Sequence, residues 1–168
     1  CKKFIAYFQS YTNTYAPVEY LKKIFTEAIN HPDIVVISIG TRPDCLSEEI
    51  IDLLSDLNKI KPVWIELGLQ TSNENTSKNF NRGYSNDIYI KAVNELKKHK
   101  INVITHMIVG LPGECFNDYL NTINFICQNG SDGVKIHLLH VLKGTKLAEE
   151  YESGKFKCLE KDEYIDTV

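Results

Sequence analysis

The feature that most constrains this chain is a repeat. Strand-like segments begin near residues 4, 34, 63, 102 and 133, so one recurs every 29 to 39 residues. That interval holds a β-strand, a crossover helix and a return loop. In the first unit Phe4, Ala6 and Phe8 alternate with Ile5, Tyr7 and Gln9 before a polar turn, Ser10 to Thr14. Pro17 then opens a helix with Val18, Leu21, Phe25 and Ala28 at helical spacing, ending by Asn30. In the second, Ile34 to Ile39 is rich in β-branched residues, Gly40 to Cys45 is a loop, and Ser47 caps a helix carrying Ile50, Leu53, Leu54 and Leu57. Val63 to Gln70 is the third strand. The longest loop of the chain follows it, then a helix from about Asp87 to His99 built on Ile88, Ala92, Val93 and Leu96. Asn102 to Val109 is the fourth strand, followed by a glycine-and-proline turn and a helix over Phe116 to Gln128. Phe116, Tyr119, Leu120 and Ile123 face inward on that helix, and Gly130 stops it. The fifth unit opens with Gly133 to Leu142 and ends in a shorter helix.

Five parallel βα units make an α/β protein, and right-handed crossovers build either a doubly wound sheet or a (β/α) barrel. The barrel is favoured because no first-strand GxGxxG marks a dinucleotide fold and one face of nearly every strand is polar, which a helix-covered flat sheet buries poorly. Five strands do not close a barrel. The chain also starts inside a strand with no preceding cap, so the expectation is one partial barrel domain over residues 1–168, a fragment or trimmed form of a longer protein. With 43% apolar and 24% charged residues, 168 residues suffice for a globular core. A net charge of -3 without blocks of like charge gives no general attraction to nucleic acid or anionic membrane, leaving RNA an unsupported substrate. No apolar run nears the roughly 18 residues of a membrane span, and CKKFIAYF lacks a signal-peptide cleavage site, so the cytoplasm is the default compartment.

Strand parity places Tyr7, Gln9, Ser38, Gly40, Glu66, Gly68, Gln70, His106, Ile108, Lys135 and His137 on the inward face. Ordinary barrel interiors are layered with Val, Ile and Leu, so a polar lumen points to a ligand-filled cavity. The alternative is a buried Glu66–Lys135 ion pair with His106 and His137 satisfied around it, holding the barrel open without chemistry. Thr12, Asn13, Arg42, Asp44 and Arg82 fall at the C-terminal ends of the strands, where such barrels place active sites. Cys1, Cys45, Cys115, Cys127 and Cys158 form an odd, irregularly spaced set without CxxC. That argues against a disulfide framework or zinc ribbon, and Cys127 reads as a small core residue.

At GLQTSNENTSKNFNRG the chain resembles the radical S-adenosylmethionine (radical SAM) enzymes, in which a strand ends GxQ and an NRG or NRE arginine follows twelve residues later, as Gln70 and Arg82 do. HMIVGLPGE is similar to that family's IxGLPGE strand and turn, and GVKIHLLHVLKGT to its last strand. FQSYTNTYAP and SIGTRPDCL resemble bacterial iron-sulfur oxidoreductases near the oxygen-independent coproporphyrinogen oxidases and the Elongator catalytic subunit. The resemblance implies a partial TIM-type (β/α)6 barrel with its first strand missing. It also implies a [4Fe-4S] cluster whose unique iron is chelated by adenosylmethionine, and reductive formation of a 5'-deoxyadenosyl radical that abstracts hydrogen from an unknown substrate. An electron donor such as flavodoxin or ferredoxin is implied as partner. By position, Gln70 and Arg82 take the ribose and the methionine carboxylate, and Gln9, Ser10, Tyr11 and Thr12 stand where relatives hold the methionine amino group. His106 falls on a ribose or adenine position, and Ile108 to Gly110 present backbone to the adenine. Gly40 departs from an acidic residue of the pattern, so Thr41 or Glu66 is needed for that ribose contact. The CxxxCxxC cluster loop is absent from these residues, its place being upstream of residue 1, so the chain alone is expected not to assemble the cluster or be active.

Two other readings stay open on sequence. One is a (β/α)-barrel lyase or aldolase forming a Schiff base on Lys135 with its pKa lowered by burial. The other is a non-catalytic binding fragment that self-associates through open sheet edges.

Overall fold

The computed structural model describes residues 2–168; Cys1 lies outside them. Five strands, β1 (Phe4–Phe8), β2 (Ile34–Thr41), β3 (Val63–Gln70), β4 (Asn102–Val109) and β5 (Gly133–Leu138), pair in chain order and all in parallel. Consecutive pairing of parallel strands requires a crossover after each, supplied by α1 (Val18–Asn30), α2 (Glu48–Asn58), α4 (Asn86–Lys98) and α5 (Phe116–Gln128). All five strands begin at the residues expected. Local chemistry sets the helix starts: Ser47 Oγ accepts from the Ile50 amide, and the Asp118 carboxylate accepts from the Cys115 amide.

The face turned to the helices carries the core. Ile37, Ile39, Ile65, Leu67, Leu69, Val103, Met107 and Val109 pack against Leu21, Phe25, Ile29, Leu54, Leu57 and Leu96. Each such fully buried side chain contributes about 1.5–3 kcal/mol of transfer free energy. Tyr89 of α4 reaches the same layer and hydrogen-bonds Thr105 Oγ1 at 2.6 Å, so its hydroxyl is not left unsatisfied by burial.

The other face is concave. β1 and β5 are the two edges of the sheet, yet Lys135 Nζ of β5 donates to Tyr7 Oη of β1 at 2.9 Å. Side chains from opposite edges meet only if the sheet curls through about half a barrel, so the partial (β/α)6 architecture is the one observed.

Four expectations are corrected. A short helix, α3 (Glu74–Asn79), lies inside the long connection after β3, nucleated by Asn73 Oδ1 accepting from the Asn75 and Thr76 amides. After β5 two helices follow, α6 (Lys146–Glu152) and α7 (Lys161–Thr167), rather than one. On α5 the buried residues are Tyr119, Thr122 and Ile126, while Phe116 and Leu120 are about half exposed and Cys127 is exposed. Tyr119 faces inward as expected, its hydroxyl accepting from the Gly110 amide, but the helix is rotated toward Thr122, whose hydroxyl accepts from the Ser72 amide. On α4, similarly, Tyr89 is fully buried and Ile88 is not.

Candidate functional site

The floor of the concave face is built around one carboxylate. Glu66, 7% exposed on the central strand, accepts from Ser38 Oγ at 2.6 Å, Tyr7 Oη at 2.8 Å, His106 Nε2 at 2.6 Å and Lys135 Nζ at 3.1 Å. Each of the five strands therefore contributes one polar group to the cluster. Burial raises the Glu66 carboxyl, but the hydrogen bonds from Ser38, Tyr7, His106 and Lys135 outweigh it and hold the pKa at about 2. An ionised carboxylate accepts only, so His106 Nε2 carries a proton. His106 and His137 are both lowered, chiefly by burial, and are neutral at pH 7. His106 Nδ1 then accepts, and the nitrogen facing it at 3.2 Å, His137 Nε2, donates. This is the ion pair with satisfied histidines anticipated as the non-chemical alternative.

Above the floor a cavity of about 340 Å³ opens at the C-terminal ends of β1 to β4. Tyr7, Glu66 and His106 form its base, and Gly40 and Gly68 leave backbone where other residues would project side chains. A Cβ on Gly68 would lie 2.7 Å from Gln70 Nε2, so the glycine lets the Gln70 amide fold over the strand. Gln70 has a left-handed backbone, φ +69°, where the β3–β4 register shifts. Such a conformation in a non-glycine residue costs about 1–3 kcal/mol and persists where surroundings impose it, commonly at ligand sites. Tyr11, φ +67°, shares this feature on the opposite rim and is almost fully exposed.

Of the residues singled out by sequence, Gln9, Tyr11, Thr12, Gln70, Arg82 and His106 line this one cavity. Ser10, Ile108 and Gly110 do not: the Ser10 carbonyl accepts from Asn13 Nδ2 at 3.3 Å, and the Gly110 amide donates away to Tyr119 Oη at 3.0 Å. Arg82 is 4% exposed and donates to the carbonyls of Leu69, Thr71 and Tyr84 and to Asn86 Oδ1, tying the loop between α3 and α4 to the end of β3. Tyr84 was not anticipated. Its hydroxyl donates to the Gly68 carbonyl at 2.6 Å, its ring meets both Arg42 and Arg82, and burial pushes its pKa up to about 12. A lone aromatic two residues beyond the arginine has no periodicity to reveal it. Lys135 does not fit the Schiff-base reading. Burial draws its ammonium down, but bonds to Tyr7 and Glu66 more than reverse this, so it stays protonated rather than nucleophilic.

Comparison with known proteins decides the family. The sequence profile of the Radical SAM superfamily matches residues 2–126, and that of the Radical_SAM C-terminal domain matches residues 131–168. The chain belongs to the radical SAM superfamily. It is 45% identical over 166 residues to the uncharacterized protein YtqA of Bacillus subtilis, covering 99% of this chain and 52% of that protein. An N-terminally deleted Elp3 from the archaeon Methanocaldococcus infernus superposes with a TM-score of 0.83 at 26% identity, covering 99% of this chain and 44% of the other. Coproporphyrinogen III oxidase from Escherichia coli, at 15% identity and a TM-score of 0.73 over 97% of this chain and 38% of its own, shares the fold. The chain spans about half the length of the curated relatives it matches.

The radical SAM family implies two cofactors, and the residues present fit one of them. The cavity offers a polar rim, a side-chain-free floor at Gly40 and Gly68, and the Gln70 amide held over it, a donor set suited to the hydroxyls of a nucleoside. An iron-sulfur cluster is different: among the described residues no group of three or more Cys, His, Asp or Glu side chains is placed to hold a metal. Among them, too, no helix is long and apolar enough to cross a membrane.

Proposed function

We propose that the concave cavity binds S-adenosylmethionine and that the gene product containing these residues is a radical iron-sulfur oxidoreductase. The observation carrying this reading is Gln70: a strained glutamine whose amide lies over a glycine floor, at the C-terminal end of the central strand. Bound adenosylmethionine, given one electron, would break its C5'–S bond, release methionine and supply a 5'-deoxyadenosyl radical for hydrogen abstraction from a substrate. Gln70 receives the ribose hydroxyls, and Tyr11 and Thr12 flank the methionyl end. Ser38, Tyr7, His106 and Lys135 all donate to Glu66 and keep the floor rigid, so its carboxylate does not compete for the ligand. Arg82 holds the loop that forms one wall. Flavodoxin or ferredoxin is the class of electron donor this chemistry requires. The described residues present no group of ligands for a cluster.

Reconstituted anaerobically with iron and sulfide and then reduced, the gene product is expected to convert adenosylmethionine to 5'-deoxyadenosine. Absence of that product while a cluster is seen spectroscopically would refute the proposal.

A further inference from the structure

The hydrogen bonds at Glu66 continue across the sheet. Glu66 is paired in register with Ile104 but bonds His106, two residues on, and His106 is paired with Lys135 but bonds His137, again two residues on. The equal offsets set Glu66, His106 and His137 in one line over β3, β4 and β5 on the concave face. Its first member fixes the protons of the rest. The Glu66 carboxylate only accepts, so neutral His106 carries its proton on Nε2 and offers the Nδ1 lone pair, which His137 meets with a proton on Nε2. A neutral imidazole holds one proton, so His137 Nδ1 is a lone pair. That nitrogen has no protein partner among the described residues, and its ring is only partly buried.

His106 thus spends both nitrogens inside the protein, while His137 spends one. Tyr7 and Lys135 turn their polar atoms to Glu66 and to each other. His106 lines the cavity assigned above to adenosylmethionine, and His137 stands one strand beyond it, outside the cavity lining. Neighbouring strands lie about 4.8 Å apart, so a molecule held by His137 would sit beside the nucleoside. We propose that His137, oriented through His106 by Glu66, is a substrate-binding residue whose Nδ1 accepts from an O–H or N–H group on the carbon that loses hydrogen. This rests on the function proposed above, which supplies the hydrogen acceptor next door. The hydrogen atom passes from that carbon to C5' of the nucleoside, one C–H bond breaking as the other forms, and the unpaired electron stays on the substrate carbon. The O–H or N–H proton stays on its own atom, held by His137. A carbon radical acidifies a hydroxyl or amine attached to it, so this hydrogen bond strengthens as the C–H bond breaks and favours the transfer as well as the binding.

The test uses two probes deuterated at the central carbon, isopropanol and isopropyl methyl ether, of which only the alcohol has an O–H to donate. Each is given to the reduced, reconstituted gene product, and mass spectrometry reads the fraction of 5'-deoxyadenosine that carries deuterium, a ratio independent of how much each variant makes. Wild type is expected to take deuterium from the alcohol about fivefold or more over the ether. His137→Leu should remove that preference, and His137→Gln, whose carbonyl also accepts, should keep part of it. Equal fractions from the two probes in wild type, deuterium from neither, or a preference that survives His137→Leu overturns the proposal. Nitrogen NMR of the histidine rings depends on neither the radical nor the His137 variants. It should find His137 protonated on Nε2 and bare on Nδ1 in wild type, with the other tautomer admitted in Glu66→Gln. A proton on His137 Nδ1 in wild type, or a tautomer indifferent to Glu66→Gln, overturns the proposed orientation. The expected tautomer with no 5'-deoxyadenosine formed at all is a failure of the function proposed above, and the substrate role falls with it.

Discussion

The floor and the rim of the same half-barrel are both polar, and they differ in how that polarity is used. On the floor, donors from four strands converge on Glu66, and the buried carboxylate has all its neighbours inside the protein. At the rim, Gln70 and Tyr11 sit in left-handed backbone and Arg42 keeps one edge of its guanidinium free. A satisfied layer holds shape, whereas a strained layer with donors to spare is what a ligand completes. Arg82 makes the distinction concrete. It stands at the rim by position but belongs with the floor by its bonding.

The largest effect should come from breaking that assignment. Arg82→Ala leaves the Leu69, Thr71 and Tyr84 carbonyls without their donor and is expected to cost about 3–5 kcal/mol in urea unfolding. A loss below about 1 kcal/mol would return Arg82 to the ligand-binding rim. Glu66→Gln comes next, at about 2–3 kcal/mol, because an amide nitrogen must face either the Ser38 hydroxyl or the donors Tyr7, His106 and Lys135, and the Lys135 ammonium loses its counter-charge.

The pH dependence sharpens the same contrast. His106 and His137 titrate below the ordinary 6.5, so the unfolded chain takes up protons first and stability begins to fall as pH drops below about that value. Glu66, held at about 2 against 4.5 unfolded, contributes stability that is complete above 4.5 and lost as pH falls toward 2. Unfolding measured from pH 8 to 2 should show both losses in wild type, and Glu66→Gln should show the second reduced to what the other lowered carboxyls, Asp44 and Asp118 among them, contribute. An acid limb of equal depth in the variant would show that Glu66 is not what the floor rests on. Smaller still, Tyr84→Phe removes the bond to Gly68 but keeps the ring beside both arginines, for about 1 kcal/mol by the same denaturation assay. A cost near that of Arg82→Ala would make Tyr84 part of the floor.

Much of this was legible in the residues. Period-two alternation put Tyr7, Ser38, Glu66, His106 and Lys135 on one face, and all five meet at one carboxylate, because strand parity in a register-locked parallel sheet leaves little freedom. The helix faces were less legible. Apolar spacing on α5 picked out Tyr119 correctly but also Phe116 and Leu120, which are half exposed, while it passed over the buried Thr122, whose hydroxyl found a partner on another element. Arg82 shows where spacing stops being informative. Twelve residues separate it from Gln70, but whether a guanidinium faces a cavity or three carbonyls depends on how the intervening loop folds, and α3 within that loop left no periodic trace. The pairing of Tyr7 with Lys135, across the full width of the sheet, follows only from its curl.

The central claim is that the rim above the Glu66 floor is an adenosylmethionine site, and Gln70 tests it most directly. Truncating Gln70 leaves every floor bond in place, so Gln70→Ala should unfold within about 1 kcal/mol of wild type. Calorimetric titration of the reconstituted gene product with adenosylmethionine should then show affinity reduced by about tenfold or more in the variant, the loss of one polar anchor. Binding of equal strength in wild type and Gln70→Ala would contradict the account.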